Sequence, residues 1–192
     1  MSFTRAELES FRDATIPDLV GPDVRLLFVG INPGLWTAAT GAPFARPGNR
    51  FWPALLQAGI VARLPDYARG LTDAERAELT GAGLGITSLV ARATARADEL
   101  SPAELRDGAI RLAENVAVWR PRVVAMLGVT AYRQAFGRPK AAVGRQDEDL
   151  AGAELWVVPN PSGLNAHENV ASLARAYAEV ARFAGLSVKM DS

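Results

Sequence analysis

The chain has 192 residues and no net formal charge at pH 7; 49% of it is hydrophobic and 22% charged, the balance of one soluble globular domain spanning 1–192. It contains no Cys and a single His, His167, which excludes disulfides, thiolate zinc sites, Cys-held iron–sulfur clusters and Cys nucleophiles. A neutral chain announces no polyanionic partner, although a local stripe of Arg would serve one. Nearly all of the 21 basic residues are Arg, a bias that a high-GC genome explains as well as phosphate binding does.

No apolar run approaches the ~18 residues of a membrane span, and Met1 to Glu9 is polar and helical rather than signal-like, so the expected compartment is the cytoplasm. Thr4-Arg5-Ala6-Glu7 has the form of a capping box, with Leu8, Phe11 and Ala14 facing inward on the helix that follows. Val24 to Val29 is a short, nearly continuous apolar run ended by Gly30-Ile31-Asn32-Pro33-Gly34. Such a run reads as a buried parallel strand entering a tight loop. The loop from Gly30 to Gly48 is long and reads as structureless, with Trp36 and Phe44 as its aromatics; loops of that kind are functional or disordered. Asn49 reads as the N-cap of a helix over Arg50–Ala58.

Asp66–Thr80 is charged and reads as a surface helical hairpin or loop, and Gly83–Val90 is a second strand. Ser101-Pro102-Ala103-Glu104 is another capping box and starts a helix reaching about Trp119. Val123–Gly128 is a third strand and Thr130–Phe136 a short helix. Arg138–Gly152 is polar and fits an edge hairpin. Leu155–Val158 is a fourth strand, which breaks into Pro159-Asn160-Pro161-Ser162-Gly163-Leu164-Asn165 before an amphipathic helix over Glu168–Ala184. The alternation predicts an α/β fold: a three-layer α/β/α arrangement around a central four-stranded, mostly parallel sheet.

The first and last strands both run into Asn-Pro loops, Asn32-Pro33-Gly34 and Asn160-Pro161-Ser162-Gly163. In a parallel sheet, loops that follow strands emerge at one edge, where ligands bind. Asn-Pro also opens ordinary turns, so the pairing points to a cleft without naming its chemistry.

Gly30-Ile31-Asn32-Pro33-Gly34-Leu35, Pro43-Phe44, Pro47-Gly48-Asn49-Arg50-Phe51-Trp52 and Asn160-Pro161-Ser162-Gly163-Leu164, with Gly85–Val90 and Leu100-Ser101, resemble the mismatch-specific uracil-DNA glycosylases of the Mug/thymine-DNA glycosylase family. The resemblance runs from about Val24 to Ala178. It implies the uracil-DNA glycosylase fold and a monofunctional enzyme that flips uracil, with thymine and ethenocytosine as further candidate bases, out of duplex DNA opposite guanine. It implies hydrolysis of the N-glycosidic bond in base excision repair, by a monomer with no metal and no cofactor. Branches of the superfamily that place Asp in the first loop have a carboxylate there; this chain has Asn32.

An amide has no useful basicity at neutral pH, so Asn32 is expected to position a water. The Ile31 N–H is a candidate donor to the leaving pyrimidine anion. Phe44 matches the residue that stacks on the flipped base. Asn160 stands where another branch has a His that stabilises that anion. Gly163-Leu164-Asn165 matches the wedge that fills the gap in the duplex, although Ala166-His167 follow it where the family often has Arg. Arg46, Arg50 and Ser162 are candidate phosphate contacts. Asp98 is a candidate extra catalytic carboxylate, with helix N-terminal charge as the plainer explanation for it and Glu99. No Lys lies near either motif, so lyase chemistry is not expected. A non-catalytic sensor of mismatched or abasic DNA is the rival reading. A nucleotide-binding domain would need a phosphate-binding glycine loop that the sequence lacks.

Overall fold

The computed structural model describes residues 3–188, so Met1 and Ser2 of the polar N-terminal stretch lie outside the described residues. Thr4 and Glu7 close a capping box on α1 (Arg5–Glu9). The helix ends there, and Phe11 and Ala14 fall in the turn and extended segment beyond it rather than on its face. That segment carries residues 16–19 along the free edge of β2 (Leu84–Ser88), where Leu19 and Ile86 exchange backbone hydrogen bonds at 2.9 and 2.8 Å.

β1 (Leu26–Gly30), β2, β3 (Val123–Leu127) and β5 (Glu154–Val158) pair in parallel, and a two-residue strand, β4 (Gly144–Arg145), joins β5 antiparallel. The sheet order is β2-β1-β3-β5-β4. The four-stranded parallel core is the one expected; the fifth strand arises in the polar Arg138–Gly152 stretch. β1 and β3 are buried throughout, because helices cover both faces of the sheet and leave no face for polar residues.

Side chains alternate across each strand. Leu26 and Phe28 join one core with residues of α3 (Phe51–Gln57), α4 (Asp73–Gly81) and α7 (Val170–Phe183). Leu27 and Val29 join a second core with α5 (Pro102–Trp119) and α6 (Val129–Phe136). Phe28, Phe51 and Tyr177 lock the first core through edge-on ring contacts at 5.2 Å between Phe28 and each of the other two. Among the described residues no helix is long and apolar enough to cross a membrane.

Beyond shifts of one or two residues at strand ends, these segments differ from the sequence reading. The Gly30–Gly48 connection is not structureless: α2 (Leu35–Thr40) forms within it and ends at Gly41, whose φ of 71° suits glycine. Arg50, not Asn49, is the N-cap of α3, and Asn49 Oδ1 instead accepts from the Phe51 N–H at 2.9 Å. α7 starts at Val170 behind an Asn169–Ser172 capping box, two residues later than expected.

Candidate active site

All four parallel strands end at the same edge of the sheet, and a cavity of about 470 Å³ opens there. Ile31, Asn32, Phe44, Arg46, Asp98, Asn160, Ser162 and Leu164 all line it. The two Asn-Pro loops therefore do share one cleft.

Asn32 is held by its amide nitrogen. Nδ2 donates to Thr94 Oγ1 at 2.8 Å, to the Arg92 carbonyl at 3.0 Å and to the Pro33 carbonyl at 3.1 Å. These partners fix which end is nitrogen, because Oδ1 in that place would face two carbonyl oxygens and a Thr94 hydroxyl that already donates to the Arg96 carbonyl at 2.8 Å. Oδ1 accepts from no protein donor among the described residues, so it is the end available to a ligand or water. Thr94 is 1% exposed and its N–H bonds the Pro33 carbonyl at 3.1 Å, which joins the loop after β2 to the loop after β1. The Ile31 carbonyl accepts from Val90 N at 2.9 Å, while the Ile31 N–H bonds no backbone acceptor among the described residues.

The loop after β2 is itself braced. Arg92 Nε donates to Glu104 Oε1 at 2.6 Å and Nη1 to Asp13 Oδ1 at 3.0 Å. Glu104 is also the capping-box residue of α5, bonded by Ser101. Arg92 first, then the Ser101 N–H, holds the Glu104 carboxyl down at about 2, and Glu104 pushes Arg92 upward in turn.

Phe44 is placed by its neighbours. The preceding residue, Pro43, accepts from Trp52 Nε1 at 2.8 Å, and the Phe44 ring lies 4.0 Å from that of Phe51 at 30°. Its φ of 57° is left-handed, a strained backbone for an aromatic residue. One face of the ring thus rests on the core while the ring lines the cavity.

The second loop is bound to the segment before α3. Asn160 Oδ1 accepts from the Ser162 N–H at 2.9 Å, so its Nδ2 is the end left to donate. Tyr177, buried and with its hydroxyl raised in pKa mainly by that burial, donates to the Pro159 carbonyl at 3.0 Å. Gly163 packs so closely on Gly48 that a β-carbon there would sit 2.6 Å from the Gly48 oxygen. Leu164, just beyond, is 76% exposed. Asn165 faces inward: Nδ2 donates to the Asn160 carbonyl at 3.3 Å and Oδ1 accepts from His167 N at 3.2 Å.

Arg50 departs from expectation. Its guanidinium donates to the carbonyls of Glu168, of Ser162 at 3.0 Å and of Asn165 at 2.8 Å. Those bonds turn it away from phosphate and make it the tie that holds the Leu164 loop. Arg46 remains exposed at the cavity, and exposed His167 does not line it. Asp98 lies at the rim, ion-paired with Arg96, so its carboxylate is already engaged. Among the described residues no three His, Asp or Glu side chains gather as metal ligands.

Sequence reasoning missed Thr94 and Arg92, which hold Asn32 from 62 and 60 residues away. It also missed Asp18, Thr87, Ser88, Arg111 and Asn115 on the cavity wall. No local pattern marks them; only the strand order brings them there.

The family model described as the uracil DNA glycosylase superfamily matches residues 17–181. The chain belongs to that superfamily. Its fold is similar to the solution NMR structure of a candidate uracil DNA glycosylase from Methanosarcina acetivorans, with a TM-score of 0.55 at 15% identity, over 86% of this chain and 98% of that one. Membership supports a glycosidase that acts on DNA in repair.

Proposed function

We propose that this chain is a monofunctional DNA glycosylase of the Mug/thymine-DNA glycosylase branch that hydrolyses uracil from G:U mismatches in duplex DNA. The observation that carries the reading is the three-acceptor cage on Asn32 Nδ2, which dedicates Oδ1 to accepting a hydrogen bond in the cleft. In this reading the target nucleotide flips into the cavity, at a cost of a few kcal/mol that is smallest at a mismatch. The base stacks on Phe44, and Leu164 occupies the space it leaves in the duplex.

Cleavage breaks the bond between C1′ and N1, and the electron pair departs with the pyrimidine. Asn160 Nδ2 and the Ile31 N–H donate to that anion. Asn32 Oδ1 accepts from a water and aims its oxygen at C1′ of the cationic sugar; the new C1′–O bond gives an abasic site, and the water's second proton passes to solvent or a nearby acceptor. Asn32 orients and does not deprotonate, so the reaction depends on binding and leaving-group stabilisation. The reading includes a monomer working in the cytoplasm on DNA, needing neither metal nor cofactor, with thymine and ethenocytosine as further candidate bases.

The test is single-turnover incubation with a G:U duplex. The expected result is free uracil and an intact strand that breaks only on alkaline treatment. Mismatch binding without base release would support a non-catalytic sensor instead.

A further inference from the structure

Two carboxylates line the cavity, Asp18 and Asp98. Asp98 is ion-paired with Arg96. Asp18 pairs with no cation among the described residues; its one hydrogen bond is from Thr87 Oγ1 to Oδ1 at 2.5 Å. Thr87 is 6% exposed on β2, so its hydroxyl fixes one carboxylate oxygen from a rigid strand and leaves Oδ2 open. The other charged groups on the wall are turned elsewhere or stand at the rim: Arg111 of α5 donates to the Leu89 carbonyl, Arg96 holds Asp98, and Arg46 lies on the loop before α3.

An unpaired negative charge in a cleft that must admit a polyanion works against binding. What it favours is positive charge, and in the proposed hydrolysis positive charge develops on the deoxyribose as the base departs. The nucleophilic water must also lose a proton that the Asn32 amide cannot accept.

Resting on the glycosylase reading above, we propose that Asp18 is the working carboxylate of this site. It stabilises the cationic sugar across the cleft and takes up, directly or through one water, the proton released when the C1′–O bond forms. One proton moves from water to Oδ2, and the pair from the broken C1′–N1 bond leaves with the base. Asp98, the carboxylate that stood out in the sequence, has no part in this.

The test compares the full chain, Asp18→Asn and Asp18→Ala on a G:U duplex, measuring DNA affinity, single-turnover release and melting temperature. Asp18→Asn keeps the shape and an oxygen for Thr87 Oγ1. It is expected to bind DNA as tightly as the parent or more so, yet to release base about 10²-fold more slowly. Release within a few-fold of the parent would overturn the proposal. So would parallel loss of binding, release and melting temperature in both variants, which would make Asp18 a structural residue. No release by the parent protein would instead overturn the glycosylase reading, and this proposal with it.

Discussion

Asn32 and Asn160 line one cavity and offer it opposite ends of the same functional group. Asn32 has its nitrogen caged and its oxygen open; Asn160 has its oxygen bonded to Ser162 N and its nitrogen open. One side chain can accept from a water while the other donates to a departing anion. Aspartate substitutions separate the two. Asn160→Asp keeps the acceptor for Ser162 N, replaces the donor with a carboxylate oxygen and sets a negative charge beside the departing anion, so stability should hold while base release falls about 10²-fold or more. Asn32→Asp places a carboxylate oxygen against the Pro33 and Arg92 carbonyls and should cost about 1–3 kcal/mol of stability. Thermal melting and single-turnover kinetics on the two variants check both outcomes; a fully stable Asn32→Asp would disprove the cage.

Leu164 buries almost nothing in the free protein, so Leu164→Ala should leave the melting temperature unchanged. If the side chain fills the gap behind a flipped base, the variant loses activity on G:U duplex and keeps it on single-stranded uracil DNA. Equal losses on the two substrates would remove the wedge role.

The two Arg residues on the segment before α3 should behave differently. Arg46→Ala is expected to weaken DNA binding and lower the slope of log affinity against log salt by about one. Arg50→Met should leave that slope alone. It should instead destabilise the Leu164 loop, each lost bond from a charged donor costing about 1.5–3 kcal/mol before relaxation. Salt titrations and limited proteolysis distinguish these outcomes.

The Arg92–Glu104 pair gives the fold a specific acid sensitivity. The Glu104 carboxyl lies at about 2 against an ordinary 4.5, so the folded chain holds it ionised where an unfolded chain would protonate it. Its stabilising contribution is complete above about 4.5 and is lost as pH falls through about 2. Melting temperatures of Glu104→Gln should therefore be lower than the parent's at neutral pH and converge on them towards pH 2. Because Arg92 also supplies a carbonyl to Asn32, base release should fall together with stability.

Much of this was legible in the sequence because it is local or periodic. The apolar runs at Leu26–Val29 and Val123–Leu127 mark buried strands, and the capping boxes at Ser101 and Thr4 mark helix starts. The motif loops brought Asn32, Phe44, Asn160 and Leu164 to one cleft as expected. What stayed hidden depends on crossing the sheet. Arg50 looks like a surface cation until residues 162–168 fold back over it. Asp18 is an ordinary polar residue after Pro17 until its segment runs along β2 and meets Thr87. The short helix Leu35–Thr40 was hidden by the glycines and prolines that surround it.

The most direct measurement is Asn32→Ala on a G:U duplex, with DNA affinity and single-turnover uracil release determined on the same preparation. The account predicts affinity within a few-fold of the parent and release slower by about 10² or more, since alanine can hold no water at C1′. Release at the parent rate, with affinity unchanged, would contradict it.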